Sequence, residues 1–302
     1  MALTSSGQIK LSEIATEYGG SEPHALSEYH DKGNAPASGE IQLAADFYGT
    51  SNTFSFSITS NASQVNLRST AVSAGWDGSS QLLATINSGV IIYSGSTGTP
   101  AMTIDGSYPG GVTLTNNGTI LGKGGQGGSV ASSTCNCSCC TDGQTTAGSA
   151  GGTGLSISSA VTINNANGRI SGGGGGGGPG GQVNAWNQPG AAGGGGIGNG
   201  AGGTAGWGGS GNGSAGTLTS AGGPGNRCIC TEGTYLAGGA GGAGGSYGAS
   251  GSSGGPAQCG GNTNCPAGPN REAKAGGAGG AATSGQSNVT WTATGTRNGT
   301  VG

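Results

Sequence analysis

The chain has 302 residues, 75 of them glycine, with only 7% charged residues and a formal net charge of -3. That balance offers no basic surface for nucleic acid, and no apolar run approaches the ~20 residues that span a bilayer. The opening Met1-Ala2-Leu3-Thr4-Ser5-Ser6 lacks the basic and apolar segments of a secretory signal, and with 31% hydrophobic residues, many of them alanine, an aliphatic core fits only the first half.

Residues 1–49 carry 9 of the 21 charged residues (9 Lys and Arg, 12 Asp and Glu) and both histidines, His24 and His30. A short repeat frames them, Ser6-Gly7-Gln8-Ile9-Lys10-Leu11 and Ser38-Gly39-Glu40-Ile41-Gln42-Leu43, each copy followed by a segment ending in aromatic-Gly. Ser12 is the expected cap of a helix through Tyr18, with Gly19 ending it left-handed and Ser27 starting another turn before Tyr29. So small a module is marginal alone, which points to a docking role over residues 1–50.

From Ser51 the pattern is that of strands. Phe54, Phe56 and Ile58 alternate with Ser55, Ser57 and Thr59, and Leu82-Leu83-Ala84-Thr85-Ile86 and Val90-Ile91-Ile92-Tyr93 flank the turn signal Asn87-Ser88-Gly89. A compact β neck is expected over 51–122. A repeated unit follows: Val112 to Gly122 parallels Val161 to Gly172, with a looser third copy from Val289 to Gly302. Strand, Asn-Gly turn, strand and glycine exit suit stacked rungs or hairpins.

Residues 172–280 hold 45 of the glycines. Glycine disfavours helix and strand interiors by ~1 kcal/mol and buries no side chain, and no Gly-X-Y period is kept, which excludes collagen. What remains is a polyproline-II type helix, three residues per turn and without internal hydrogen bonds, satisfied only by lateral pairing with others like it. The fold class expected is therefore mostly β with a glycine-rich polyglycine-II helix sandwich over 123–302, to which a C-terminal strand returns, and a small N-terminal α/β docking module.

The interruptions of the glycine tracts carry the chemistry. All eight cysteines lie in three of them: Cys135, Cys137, Cys139 and Cys140; Cys228 and Cys230; Cys259 and Cys265. Disulfide staples, a thiolate metal cluster and free thiols are all open to these spacings; staples suit an even count in loops without another core, whereas zinc sites use wider Cys-x2–4-Cys spacing, so no metal and no cofactor is expected. Trp186, Asn187, Arg227, Glu232, Tyr235, Asn262, Asn264, Arg271 and Lys274 are the candidate recognition residues, on loops whose alternate members fall at one end of a glycine bundle. Asp77, Asp105 and Asp142 raise a carboxylate pair for glycoside cleavage, but each precedes glycine and reads as a turn residue, so no catalytic residue is assigned.

The strings Val65-Asn66-Leu67-Arg68, Ala74-Gly75-Trp76-Asp77-Gly78 and Asn116-Asn117-Gly118-Thr119-Ile120-Leu121-Gly122, the last running into a glycine tract, resemble receptor-binding proteins at the tail-fibre ends of tailed bacteriophages. The interleaving of glycine tracts with loops is similar to the distal adhesins of T-even-type phages. The resemblance implies a virion adhesin whose tip loops bind a bacterial outer-surface receptor, protein or polysaccharide, while residues 1–50 join other tail or fibre proteins; it also raises a homotrimer. The cysteine-rich loops depart from the family pattern. A passive structural fibre or decoration protein and a polysaccharide-degrading tail spike are the competing readings.

Overall fold

The computed structural model describes residues 2–130, 145–181, 190–205, 211–227, 229–230, 235–260 and 272–302. Residues 2–50 form the small N-terminal module: α1 (Leu11–Tyr18), a 3-10 turn (Leu26–Tyr29) and α2 (Leu43–Phe47) close over Ile14, Tyr29 and Phe47. Tyr18 and Tyr29 meet Phe47 edge-on at 5.8 and 6.3 Å. The cap of α1 falls at Lys10, not at Ser12: the Lys10 N–H donates to the Glu13 carboxylate at 2.9 Å. The Gln42 N–H does the same to Asp46 at 2.7 Å, so the two repeats start their helices with one device, a carboxylate turned back on the N-cap amide.

The β region is a coil of parallel strands. Its first turn is β1 (Thr53–Ile58), β2 (Ala62–Ser63) and β3 (Val65–Asn66), followed by α3 (Leu67–Ser73); the second is β4 (Gln81–Ile86), β5 (Ile91–Tyr93) and β6 (Met102–Ile104). The third has β7 (Val112–Asn116) and β8 (Thr119–Leu121), leaves through residues 122–154, and resumes at β9 (Leu155–Ile157). The fourth starts with β10 (Val161–Asn164) and β11 (Arg169–Ser171) and departs again. That excursion includes the antiparallel strands β12 (Ile229–Cys230), β13 (Tyr235–Ala237) and β14 (Gln258–Gly260), and returns at β15 (Thr283–Ser284). A last turn, β16 (Val289–Ala293) and β17 (Thr296–Asn298), ends the chain. The sheets run β1-β4-β7-β10-β16, β2-β5-β8-β11-β17 and β3-β6-β9-β15, with every neighbouring pair parallel. The repeat seen in the sequence thus forms rungs of a three-faced β-helix and not hairpins. Each Asn-Gly turns a corner from one sheet to the next.

Period-two patterning fills the coil. Phe56, Ala84, Leu114, Ile163 and Trp291 stand in one inward column, and Ile92, Ile120 and Ile170 in another. Each fully buried isoleucine or leucine contributes about 1.5–3 kcal/mol. Aromatics close both ends of the first column, where no further rung covers it, and Arg297 lies 4.9 Å over the Trp291 ring. At one corner Asn116 and Asn165 are fully buried. The Asn116 amide donates to Asn165 Oδ1 at 2.7 Å, and the Asn165 amide donates onward to the Thr294 carbonyl at 2.7 Å. This ladder satisfies corner carbonyls that the sheets leave over.

The two excursions pack together. Backbone N–H groups along residues 173–178 point in turn to Gly152, Ile197, Ala249, Ser149, Gly194 and Ser252 carbonyls, so hydrogen-bond direction repeats every three residues. Segment 172–181 bonds to 122–130, 145–154, 190–198, 238–246, 249–257 and 272–282, and segment 190–198 to 122–130, 172–181, 199–205, 211–217, 221–227 and 238–246. These bonds order the segments in three rows: 145–154, 122–130 and 199–205; then 272–282, 172–181, 190–198 and 211–217; then 249–257, 238–246 and 221–227. Both central segments are buried along their length, and an added Cβ at any of residues 172–178 would overlap a neighbouring backbone. Outer segments need glycine only where they face inward. In Ala240-Gly241-Gly242-Ala243-Gly244-Gly245-Ser246 every third residue, Ala240, Ala243 and Ser246, is exposed, and Lys123, Gln126 and Ser129 keep the same spacing in 122–130.

Candidate receptor-binding end

The bonding pattern fixes chain direction. Registers with a constant residue sum (174 to 197, 177 to 194, 180 to 191) mark antiparallel neighbours, and those with a constant difference (175 to 249, 178 to 252, 181 to 255) mark parallel ones. Each excursion leaves the β-helix, turns back, and alternates direction thereafter. The turns at 198–199, 217–221 and 246–249 lie beside the β-helix, where Arg169 of β11 sits 4.2 Å over the Tyr247 ring. The described residues that flank the remaining connections, near 130 and 145, 181 and 190, 205 and 211, 227 and 238, and 257 and 272, lie at the opposite, free end.

Backbone hydrogen bonds knit the described residues of that end. Val130 bridges Ala205 and Thr145; Gly181 donates to Gly255 O and accepts from the Gly239 N–H; Lys274 donates to Pro179 O at 3.1 Å and accepts from Gly254. The three-stranded sheet β12-β13-β14 stands there too, with Leu236 paired to Cys230 on one side and Cys259 on the other. Two strand spacings, about 10 Å, therefore separate those two cysteine backbones, too far for one disulfide to join them. The sequence pattern of Cys228-Ile229-Cys230 and Tyr235-Leu236-Ala237 carries the alternation of a strand, but the segments are too short to stand out among so much glycine.

Of the recognition candidates, Lys274 is exposed on the last segment, Arg227 closes segment 221–227, and Tyr235 begins β13 opposite Gly260. Trp186, Asn187, Glu232, Asn262, Asn264 and Arg271 lie outside the described residues, as do Cys135, Cys137, Cys139, Cys140, Cys228 and Cys265.

Elsewhere the two histidines and Asp77 serve the fold. His24 Nδ1 lies 3.7 Å from Glu28 and 3.3 Å from the Tyr29 hydroxyl, and His30 Nδ1 is 2.8 Å from Pro36 O. Burial works to raise the pKa of Asp77, but the Ser80 and Ser79 amides and hydroxyls outweigh it and bring it down to about 2. Asp77 is the turn residue its Asp-Gly setting implied; Asp142 lies outside the described residues.

The sequence matches the family model of the phage tail fibre adhesin Gp38 over residues 53–302, the β-helix and both glycine excursions. The chain belongs to the phage tail fibre adhesin family. Its place is the phage tail fibre, and its family role is that of a receptor-binding adhesin. Among solved structures it is similar to the gp37-gp38 adhesin tip complex of the bacteriophage S16 long tail fiber, with 24% sequence identity and a TM-score of 0.53 over 98% of this chain and 94% of that one. That likeness shows the fold, N-terminal module included. No curated protein matches the chain.

Proposed function

We propose that this adhesin binds a bacterial outer-surface receptor through the connections at the free end of its glycine layers, with the layers themselves a polyglycine-II sandwich. One observation carries the reading: chain direction reverses between successive segments, so every long connection leaves from and returns to the same end, away from the β-helix. The three-residue bonding period and six neighbours per central segment support polyglycine-II packing, in which each amide finds a partner on another strand. A scaffold so closely bonded lowers the entropic cost of presenting loops. Trp186, Asn187, Arg227, Glu232, Tyr235, Asn262, Asn264, Arg271 and Lys274 are the contact residues of this proposal, since aromatic and Arg side chains dominate interface hot spots.

Residues 1–50 are proposed to attach the adhesin to another tail-fibre protein. The similar S16 structure is a gp37-gp38 complex, and the N-terminal module here lies at the β-helix side of the molecule, where the Asn52 N–H meets Glu17 at 3.0 Å and the Asn52 carbonyl accepts from Gln81. In this scheme 51–122 is the neck and 123–302 the tip, although the β-helix draws strands from both. The homotrimer raised by the resemblance is tested by sedimentation of the purified chain.

The test is binding of the purified protein to host cells. Replacing Trp186, Arg227 and Lys274 together by alanine is expected to remove cell binding while leaving attachment to the fibre intact. Unchanged cell binding, with the fold retained, would return the glycine layers to a passive spacer.

A further inference from the structure

One polar cluster on the β-helix is organised beyond what its corner needs. Where β3 passes into α3 and β6 ends, Asn66, Arg68, Ser69, Asp105, Gly106 and Ser107 line a shallow cleft of about 610 Å³. Asn66 has two tasks: its Oδ1 accepts the Ser69 N–H at 3.0 Å, capping α3, and its amide donates to Asp105 Oδ1 at 2.7 Å. Arg68 donates from Nε to the Ser107 carbonyl at 3.2 Å, and its guanidinium lies 5.8 Å from the Trp76 ring centroid. Trp76 is fixed in turn: it is only 3% exposed, stacks on Tyr108 at 5.6 Å and donates its indole N–H to the Ser80 carbonyl.

Each charge is thus held by one edge and leaves the other edge open. Among the described residues no further hydrogen bond occupies Asp105 Oδ2 or the two terminal nitrogens of Arg68. Nearby in sequence, the Tyr108 hydroxyl is buried without a partner among the described residues. Burial, and then the Asp105 charge, push its pKa up to about 12 against the opposing pull of Arg68, so it stays a neutral phenol.

We propose that this cleft binds a neutral saccharide, with vicinal hydroxyls bridging Arg68 and Asp105. The carboxylate disfavours an anion and the guanidinium disfavours a cation. What suits both is a neutral group that accepts at one atom and donates at the next, and a pair of adjacent hydroxyls does so. The side chains are already oriented, so little rotamer entropy is lost on binding. The shallow, open form of the cleft admits a sugar that is part of a longer glycan. It lies on the β-helix flank, separate from the free end.

Saturation-transfer NMR on the full-length protein, with the methyl glycosides of glucose, galactose, mannose and N-acetylglucosamine as probes, tests this. Transfer to at least one glycoside is expected, with affinity weakened about tenfold in Asp105→Asn and in Arg68→Gln, as for loss of one hydrogen bond to a charged group. Asp105→Asn retains the oxygen that Asn66 requires, so its thermal midpoint should match the wild type, which separates loss of binding from loss of fold. No transfer to any of the four glycosides, or wild-type affinity retained in either variant, would overturn the proposal.

Discussion

Gly176→Ala tests why the central segments hold an unbroken glycine run. The new methyl would lie under 3.0 Å from the Gln126 carbonyl and Gly127 N, both backbone atoms that no rotamer change can move aside. The neighbouring segment must retreat by roughly 1 Å, an overpacking cost of about 1–3 kcal/mol. That shift also strains the bonds that Gly176 makes, from its N–H to Ser149 O at 2.9 Å and to its carbonyl from Gly277 at 2.7 Å, each worth about 1 kcal/mol net. The total, about 3–5 kcal/mol, corresponds to a thermal midpoint lowered by roughly 6–20 °C at about 2–4 °C per kcal/mol. Gly223→Ala is the internal control, because its nearest neighbour is the Ser214 hydroxyl oxygen at 3.6 Å. It should leave the midpoint unchanged or raise it slightly, since alanine narrows the unfolded ensemble. Differential scanning calorimetry reads both. A Gly176→Ala midpoint within a degree of the wild type, or equal damage from Gly223→Ala, would refute the close-packing argument.

Further outcomes follow from the same structure. Asn165→Ala removes the acceptor of the Asn116 amide and strands the Thr294 carbonyl, costing about 1–3 kcal/mol and lowering the midpoint by several degrees in the same calorimetric scan. Because Asp77 has a folded pKa of about 2 against an ordinary 3.8, its contribution is complete above pH 4 and fades as pH falls toward 2. Acid titration of the thermal midpoint over that window should therefore be steeper in the wild type than in Asp77→Asn, by a small amount because the residue is exposed. Thiol titration of the denatured, unreduced protein should find the cysteines paired; eight free thiols would remove the staple reading.

Much of this architecture could be read in advance because it depends on short periodicities. The alternation of Phe54, Phe56 and Ile58, and the twice-repeated Asn-Gly before glycine, follow from the period of a strand and the corner it must turn. Hairpins and rungs could not be told apart, because parallel pairing is decided by residues a whole turn away, such as Ile92 against Ile120 and Ile170. The Asn116–Asn165 ladder was hidden for the same reason: only the stacking of rungs buries the two asparagines against each other. The outer segments keep a Gly-Gly-X period, in which Lys123, Gln126 and Ser129 mark the edge least covered by neighbouring segments. The free end was legible as alternating loops, whereas the chemistry of Arg68 and Asp105 was not, since 37 residues of sequence separate them and β3–β6 pairing brings them together.

The central claim, that recognition resides in the connections at the free end, is tested most directly by adsorption of phage carrying a rebuilt adhesin. Residues 131–144, 182–189, 206–210, 228–234 and 261–271 are replaced by Gly-Ser linkers of equal length, leaving the β-helix and every glycine segment unchanged. The account predicts particles that assemble with the adhesin on their fibres and no longer adsorb to the host. Adsorption at the wild-type rate by such particles would contradict it.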